Sequence, residues 1–84
     1  MNKIESDKLE NVAGGITNDQ AYDAALKHAN ATKSEAKLKK NKLECDDGIM
    51  KYEIEFRVGM KEYEYDIDAN SGAVLGFEQE SIFD

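Results

Sequence analysis

Between Met50 and Ala69 the chain reads MKYEIEFRVGMKEYEYDIDA, and apolar residues alternate with charged ones without a slip on both sides of one glycine. Met50, Tyr52, Ile54, Phe56 and Val58 share one parity, and Lys51, Glu53, Glu55 and Arg57 the other. After Gly59, Tyr63, Tyr65, Ile67 and Ala69 face one way while Glu62, Glu64, Asp66 and Asp68 face the other. A strict period of two over this length specifies two half-buried antiparallel strands, rich in residues that suit a pleated surface. A two-residue turn at Gly59-Met60 pairs Phe56 with Tyr63, Ile54 with Tyr65 and Tyr52 with Ile67, so both apolar rows fall on one face. The sheet then has one wet face and one apolar face, and another part of the chain must cover the latter.

Size and charge narrow the choices. Eighty-four residues make at most one domain, with a small core. The net charge of −7 argues against a nucleic-acid partner, whose phosphates need a basic footprint, and against an anionic membrane surface. The charge is unevenly spread: six lysines and one acid lie between Lys27 and Lys42, whereas twelve acids face Lys51, Arg57 and Lys61 from Leu43 onward. A lone cysteine, Cys45, cannot form an internal disulfide. No apolar run has the length of a transmembrane helix or of a secretory signal core.

Residues 1–15, MNKIESDKLENVAGG, differ in character from the remainder. Ile4, Leu9 and Val12 stand twelve, seven and four places before the bond that follows Gly15, and Gly14-Gly15 close the stretch. This spacing resembles the double-glycine leader peptides of exported bacterial peptides, including bacteriocins. The resemblance implies that Ile4, Leu9 and Val12 dock on a papain-like peptidase domain of an ABC exporter, which cuts after Gly15. Paired glycines leave no side chain to obstruct a narrow cleft, and a short helix would gather the apolar trio for groove binding. Lys8 and Glu5 depart from the usual pattern, which favours an acid and a serine there. The plainer alternative is an ordinary frayed terminus that contains a glycine pair. The leader reading is preferred, giving a division into residues 1–15 and a domain over 16–84.

Thr17-Asn18-Asp19-Gln20 is a capping-box pattern, followed by Ala21, Ala25 and Ala29 at every fourth place with Tyr22 and Leu26 beside them. Such an alanine stripe lets a helix approach a sheet closely. Asp19 suits the positive helix end, and Lys27 and His28 the negative end, with Asn30 fit for a left-handed C-cap. Thr32 to Glu35 predict one further short turn. Leu43 and Cys45 alternate with Lys42 and Glu44 as a first strand, with Asn41 continuing the inward phase as a polar residue. Asp46-Asp47-Gly48 then turn into the central hairpin, and Asn70-Ser71-Gly72 into a last strand from Ala73 to Glu78. In that strand Val74 and Leu75 compete for the inward position and the phase stays open. Ile82 and Phe83 either fold back or fray. The expected fold is α+β: one helix, with a short second turn, packed on one face of a four-stranded antiparallel meander.

From Ile16 to Glu80 the chain resembles the PepSY family. The residues that carry the likeness are Ala25-Leu26-Lys27-His28-Ala29, Lys42-Leu43-Glu44 before Asp46-Asp47-Gly48, Tyr52-Glu53-Ile54-Glu55-Phe56, and Glu62-Tyr63-Glu64-Tyr65-Asp66-Ile67-Asp68-Ala69 before Ser71-Gly72. Asn41 stands where the family usually has an aliphatic residue. The resemblance implies a non-enzymatic domain of the kind found in propeptides of thermolysin-type metallopeptidases and in small secreted proteins, where it is proposed to restrain peptidases.

Candidate chemistry is sparse. Cys45 and His28 lack a third orienting group in the sequence, and Cys45 reads as a buried structural thiol. Asp66-x-Asp68-x-Asn70-x-Gly72 mimics an EF-hand start, but the glycine falls one place late and Phe77 occupies the position of the bidentate acid. No metal or cofactor is expected, with a weak cation at that strand end left open. On the wet face of the hairpin, Arg57 opposes Glu62 and Lys51 opposes Asp68, whereas Glu55 faces Glu64 and Glu53 faces Asp66. A solvated acidic face that aids solubility explains this blandly. The sharper reading makes Glu53, Glu55, Glu64 and Asp66 a docking face for a basic patch on a partner. Three functions follow: an exported PepSY-type module that inhibits or regulates a peptidase by contact, a secreted effector of bacteriocin or signalling type, or an intracellular domain with an incidental glycine pair.

Overall fold

The computed structural model describes residues 15–82. These form one helix, α1 (Asn18–Ala29), and a sheet of four strands, β1 (Ala36–Asp46), β2 (Ile49–Val58), β3 (Lys61–Asp68) and β4 (Val74–Ser81), in the order β1-β2-β3-β4. The α+β layer expected from the sequence is what the chain adopts. Each strand pairs antiparallel with its neighbour.

α1 starts where the capping box places it. The Thr17 hydroxyl accepts from the Gln20 N–H at 3.1 Å, and the Gln20 side chain accepts from the Thr17 N–H at 2.9 Å. It ends at Asn30, whose φ of 60° gives the left-handed cap. Ala21, Tyr22, Ala25 and Leu26 are buried against Tyr52, Ile54, Phe56, Tyr65, Ile67 and Ala69. The Thr32–Glu35 segment makes a turn in which the Glu35 carboxylate accepts from the Thr32 N–H at 2.9 Å.

The central hairpin has the register that alternation demands: Phe56 opposite Tyr63, Ile54 opposite Tyr65 and Tyr52 opposite Ile67. Gly59, at φ 60°, supplies the positive φ that a primed two-residue turn needs at its first central place. Phe56 lies parallel to Tyr63 and Tyr65 at 5.1 and 5.9 Å, and Tyr22 meets it edge-on at 5.7 Å. These rings form the floor that the helix covers.

Two expectations need correction, and the open phase of the last strand is resolved. β1 begins at Ala36 rather than near Asn41, because a bulge between Leu38 and Lys40 breaks the alternation while keeping Leu38, Asn41 and Leu43 opposite Phe56, Ile54 and Tyr52. In β4 a second shift leaves Leu75 as the extra residue between Val74, opposite Ile67, and Gly76, opposite Asp66. Val74 and Phe77 therefore both share the helix side, which no single period of two can encode. Cys45 is exposed, not buried. It keeps the inward phase opposite Met50, but lies about 13 Å along β1 from Asn41, where the helix begins, so α1 does not cover it.

Asn41 has a partner that the sequence did not suggest. The Asn18 amide donates to the Asn41 side-chain oxygen at 2.9 Å, and the Asn41 amide donates to the Asn18 carbonyl at 3.0 Å. This clasp fixes the start of α1 over β1. On the other side of the same end, the Ile16 N–H donates to the Ala69 carbonyl at 2.9 Å and the Tyr52 hydroxyl donates to the Ile16 carbonyl at 2.7 Å.

Candidate functional site

The outer face of the sheet carries the charge. Strand alternation puts Glu53, Glu55, Glu62, Glu64 and Asp66 there, as the sequence indicated, with Glu55 opposite Glu64 and Glu53 opposite Asp66. β1 and β4 then treat the two sides of this acidic pair differently.

On the β1 side the carboxylates are neutralised. The Lys40 ammonium sits 2.9 Å from Glu53 and 4.0 Å from Glu55. Its hydrogen bond and charge hold the Glu53 carboxyl below its ordinary range and raise Lys40. Lys39, displaced by the bulge, reaches Glu62 at 3.1 Å. Lys51 bonds Asp66 at 3.2 Å and lies 3.8 Å from Asp46, and the Asp66 hydrogen bond leads the causes that raise it. These pairs are partly exposed, and each contributes little to stability.

On the β4 side the row continues as carboxylates: Glu78 is opposite Glu64, and Glu80 opposite Glu62. Among the described residues no lysine or arginine bridges Glu64, Glu78 or Glu80. Crowding strips water from the Glu64 carboxyl, and Glu55, Glu78 and Glu80 add like charge, so together they push it above its ordinary range against the opposing pull of Lys40. Gly76 brings no side chain to this row, and a shallow opening of about 260 Å³ runs beside it between Glu64, Asp66 and Glu78.

The four acids singled out from the sequence thus share one face but not one environment. Glu53 and Asp66 hold lysines, Glu55 shares Lys40, and Glu64 belongs with Glu78 and Glu80. Sequence reasoning missed those last two because the β4 phase was undecided; a bulge permitted by Gly76 was the available signal.

The remaining candidates are dispersed. His28 Nδ1 hydrogen-bonds the Tyr65 hydroxyl at 2.9 Å and its ring meets Phe77 edge-on at 4.7 Å, whereas Cys45 sits opposite Met50. The Asp68 carboxylate accepts from the N–H groups of Asn70 and Ser71 at 2.7 and 3.3 Å, which builds the turn. Among the described residues no group of three or more His, Cys, Asp or Glu is arranged to hold a metal ion, and no helix is long and apolar enough to cross a membrane. Ile4, Leu9, Val12 and Gly14 lie outside the described residues, as does Phe83. Gly15 is half-buried, directly before the anchored Ile16.

Residues 15–78 match the family model described as PepSY, peptidase propeptide and YPEB domain. The chain is 39% identical over 69 residues to an uncharacterized protein of Streptococcus pyogenes serotype M6, an alignment that covers 82% of this chain and 53% of the relative. It therefore spans about half the length of that curated relative. No solved structure matches it at a significant level.

Proposed function

The chain belongs to the PepSY family, and from that premise we propose that it is a non-enzymatic binding module that inhibits or regulates a peptidase through protein–protein contact. The observation that carries this reading is the family match over residues 15–78, a domain described by its place in peptidase propeptides. The outer face supports it. A row of like charges running Glu55, Glu64, Glu78 across three strands costs stability, and a basic patch on a partner would offset that cost.

The test is direct. The full chain and a form starting at Ile16 are incubated with the peptidases of the producing cell, and complex formation and residual activity are measured. A complex that weakens when Glu53, Glu55, Glu64 and Asp66 are changed together to amides supports docking through this face. Absence of a complex with every such peptidase refutes the function, and binding unchanged by the four substitutions reduces the face to a solubility device.

Export belongs to the same proposal. Residues 1–15 act as a double-glycine leader, with Ile4, Leu9 and Val12 docking on the peptidase domain of an ABC exporter and cleavage following Gly15. Mass spectrometry of culture medium is expected to find a chain that starts at Ile16. The leader spacing favours a second reading as well, a secreted effector of bacteriocin or signalling type, which requires growth inhibition or a response in other cells.

A further inference from the structure

The sheet shows by its own construction what kind of strand sits beside an acidic one. β1 presents Lys40 and Lys42 outward and Leu38 and Leu43 toward the helix side, and its lysines neutralise carboxylates of β2 and β3. Across the sheet, β4 turns Glu78 and Glu80 outward and, among the described residues, has a strand neighbour on one side only, β3. An edge strand turns alternate N–H and C=O groups away from the sheet. Phe77, on the inner row of that edge, stacks on Tyr65 at 5.3 Å and still leaves 51% of its surface exposed.

We propose that β4 is an acceptor edge for an added strand, an extended segment of a partner protein in which basic residues alternate with apolar ones. The basic row lies over Glu64, Glu78 and Glu80, the apolar row lies beside Phe77, and the backbone groups that Val74–Glu80 turn away from β3 supply the ladder. This deepens the reading of the domain as a binding module and rests on it. β1 of a second copy has a related pattern, yet three features disfavour it. Lys39 and Lys40 already hold Glu62, Glu53 and Glu55, the bulge at Lys39 interrupts its run, and two chains of net charge −7 repel each other. A foreign basic segment meets none of these obstacles.

The experiment titrates the isotope-labelled full chain with a short synthetic peptide of alternating lysine and valine. One control holds the same residues in two blocks, and another carries N-methyl groups on alternate amides. The alternating peptide should shift the amides of Val74–Glu80 and slow their exchange. Both controls should bind about tenfold more weakly, and the Glu78→Lys/Glu80→Lys chain should lose about tenfold while keeping its amide spectrum elsewhere. Equal affinity for the blocked peptide would reduce the effect to bare charge attraction and overturn the proposal. Protection mapped to β1 would also overturn it, as would sedimentation showing that the chain alone assembles through β4. A peptidase complex indifferent to Glu78→Lys/Glu80→Lys removes the edge and leaves the peptidase reading standing. Peptide capture at β4 with no peptidase complex does the reverse.

Discussion

Asn41 points into the covered side of the sheet, where an aliphatic side chain would ordinarily sit. The Asn18 amide donates to the Asn41 side-chain oxygen and the Asn41 amide donates to the Asn18 backbone carbonyl across the helix–strand gap, so the polar residue is a clasp rather than a flaw. Asn41→Ala leaves the Asn18 amide without that partner and should lower unfolding free energy by about 1–2 kcal/mol in urea titration. Glu64 behaves in the opposite sense to Glu53. Its folded carboxyl is raised, so the charged form costs stability above the ordinary carboxylate range, and that cost fades as pH falls. Solvent screens this exposed carboxylate, so Glu64→Gln should stabilise the chain by no more than about 0.3 kcal/mol at pH 7, a gain that fades as pH falls toward about 4. Glu53 is lowered when folded; its contribution is present above the ordinary range and is lost as pH falls through the lowered value. Inward parity was legible for Asn41 and for Cys45, but parity is not burial. The fate of each depended on whether α1 reached that point of the strand.

At the scale of elements, α1 and the central hairpin could be read directly because each follows one period throughout. The capping box, the alanine stripe and the Asn30 cap are local signals, and local interactions fulfil them. Ala21 and Ala25 are fully buried, with the helix backbone close to the sheet. Ala25→Leu should force the layers apart and cost about 1–3 kcal/mol, measured as a lower denaturation midpoint with little change in the slope. The two edge strands were harder. A bulge at Lys39 and another at Leu75 each shift the phase by one residue, so β1 looked shorter than it is and β4 gave no single answer. Only pairing against β2 and β3 resolves them, and pairing is a long-range fact.

Across the whole molecule, the lysine-rich third of the sequence folds beside the acid-rich half, as β1 against β2 and β3. Linear counting separates these charges; the meander brings them to 2.9 Å in the closest pair. The imbalance that survives lies at the far edge, which is why the acidic face foreseen on the hairpin extends onto β4. The anchoring of Ile16 has a consequence for timing. Its N–H and carbonyl are both tied down, to Ala69 and by Tyr52, so the bond joining it to Gly15 is stitched to the finished domain. A processing enzyme that must draw this bond into a cleft competes with those two ties, and release should precede folding or wait for the first turn to open. Tyr52→Phe removes one tie, and with the peptidase domain proposed above to cut after Gly15 the rate of cutting of the native chain should rise about fivefold. Chain denatured beforehand should be cut at one rate with either residue, which would make maturation a race between scissors and knot.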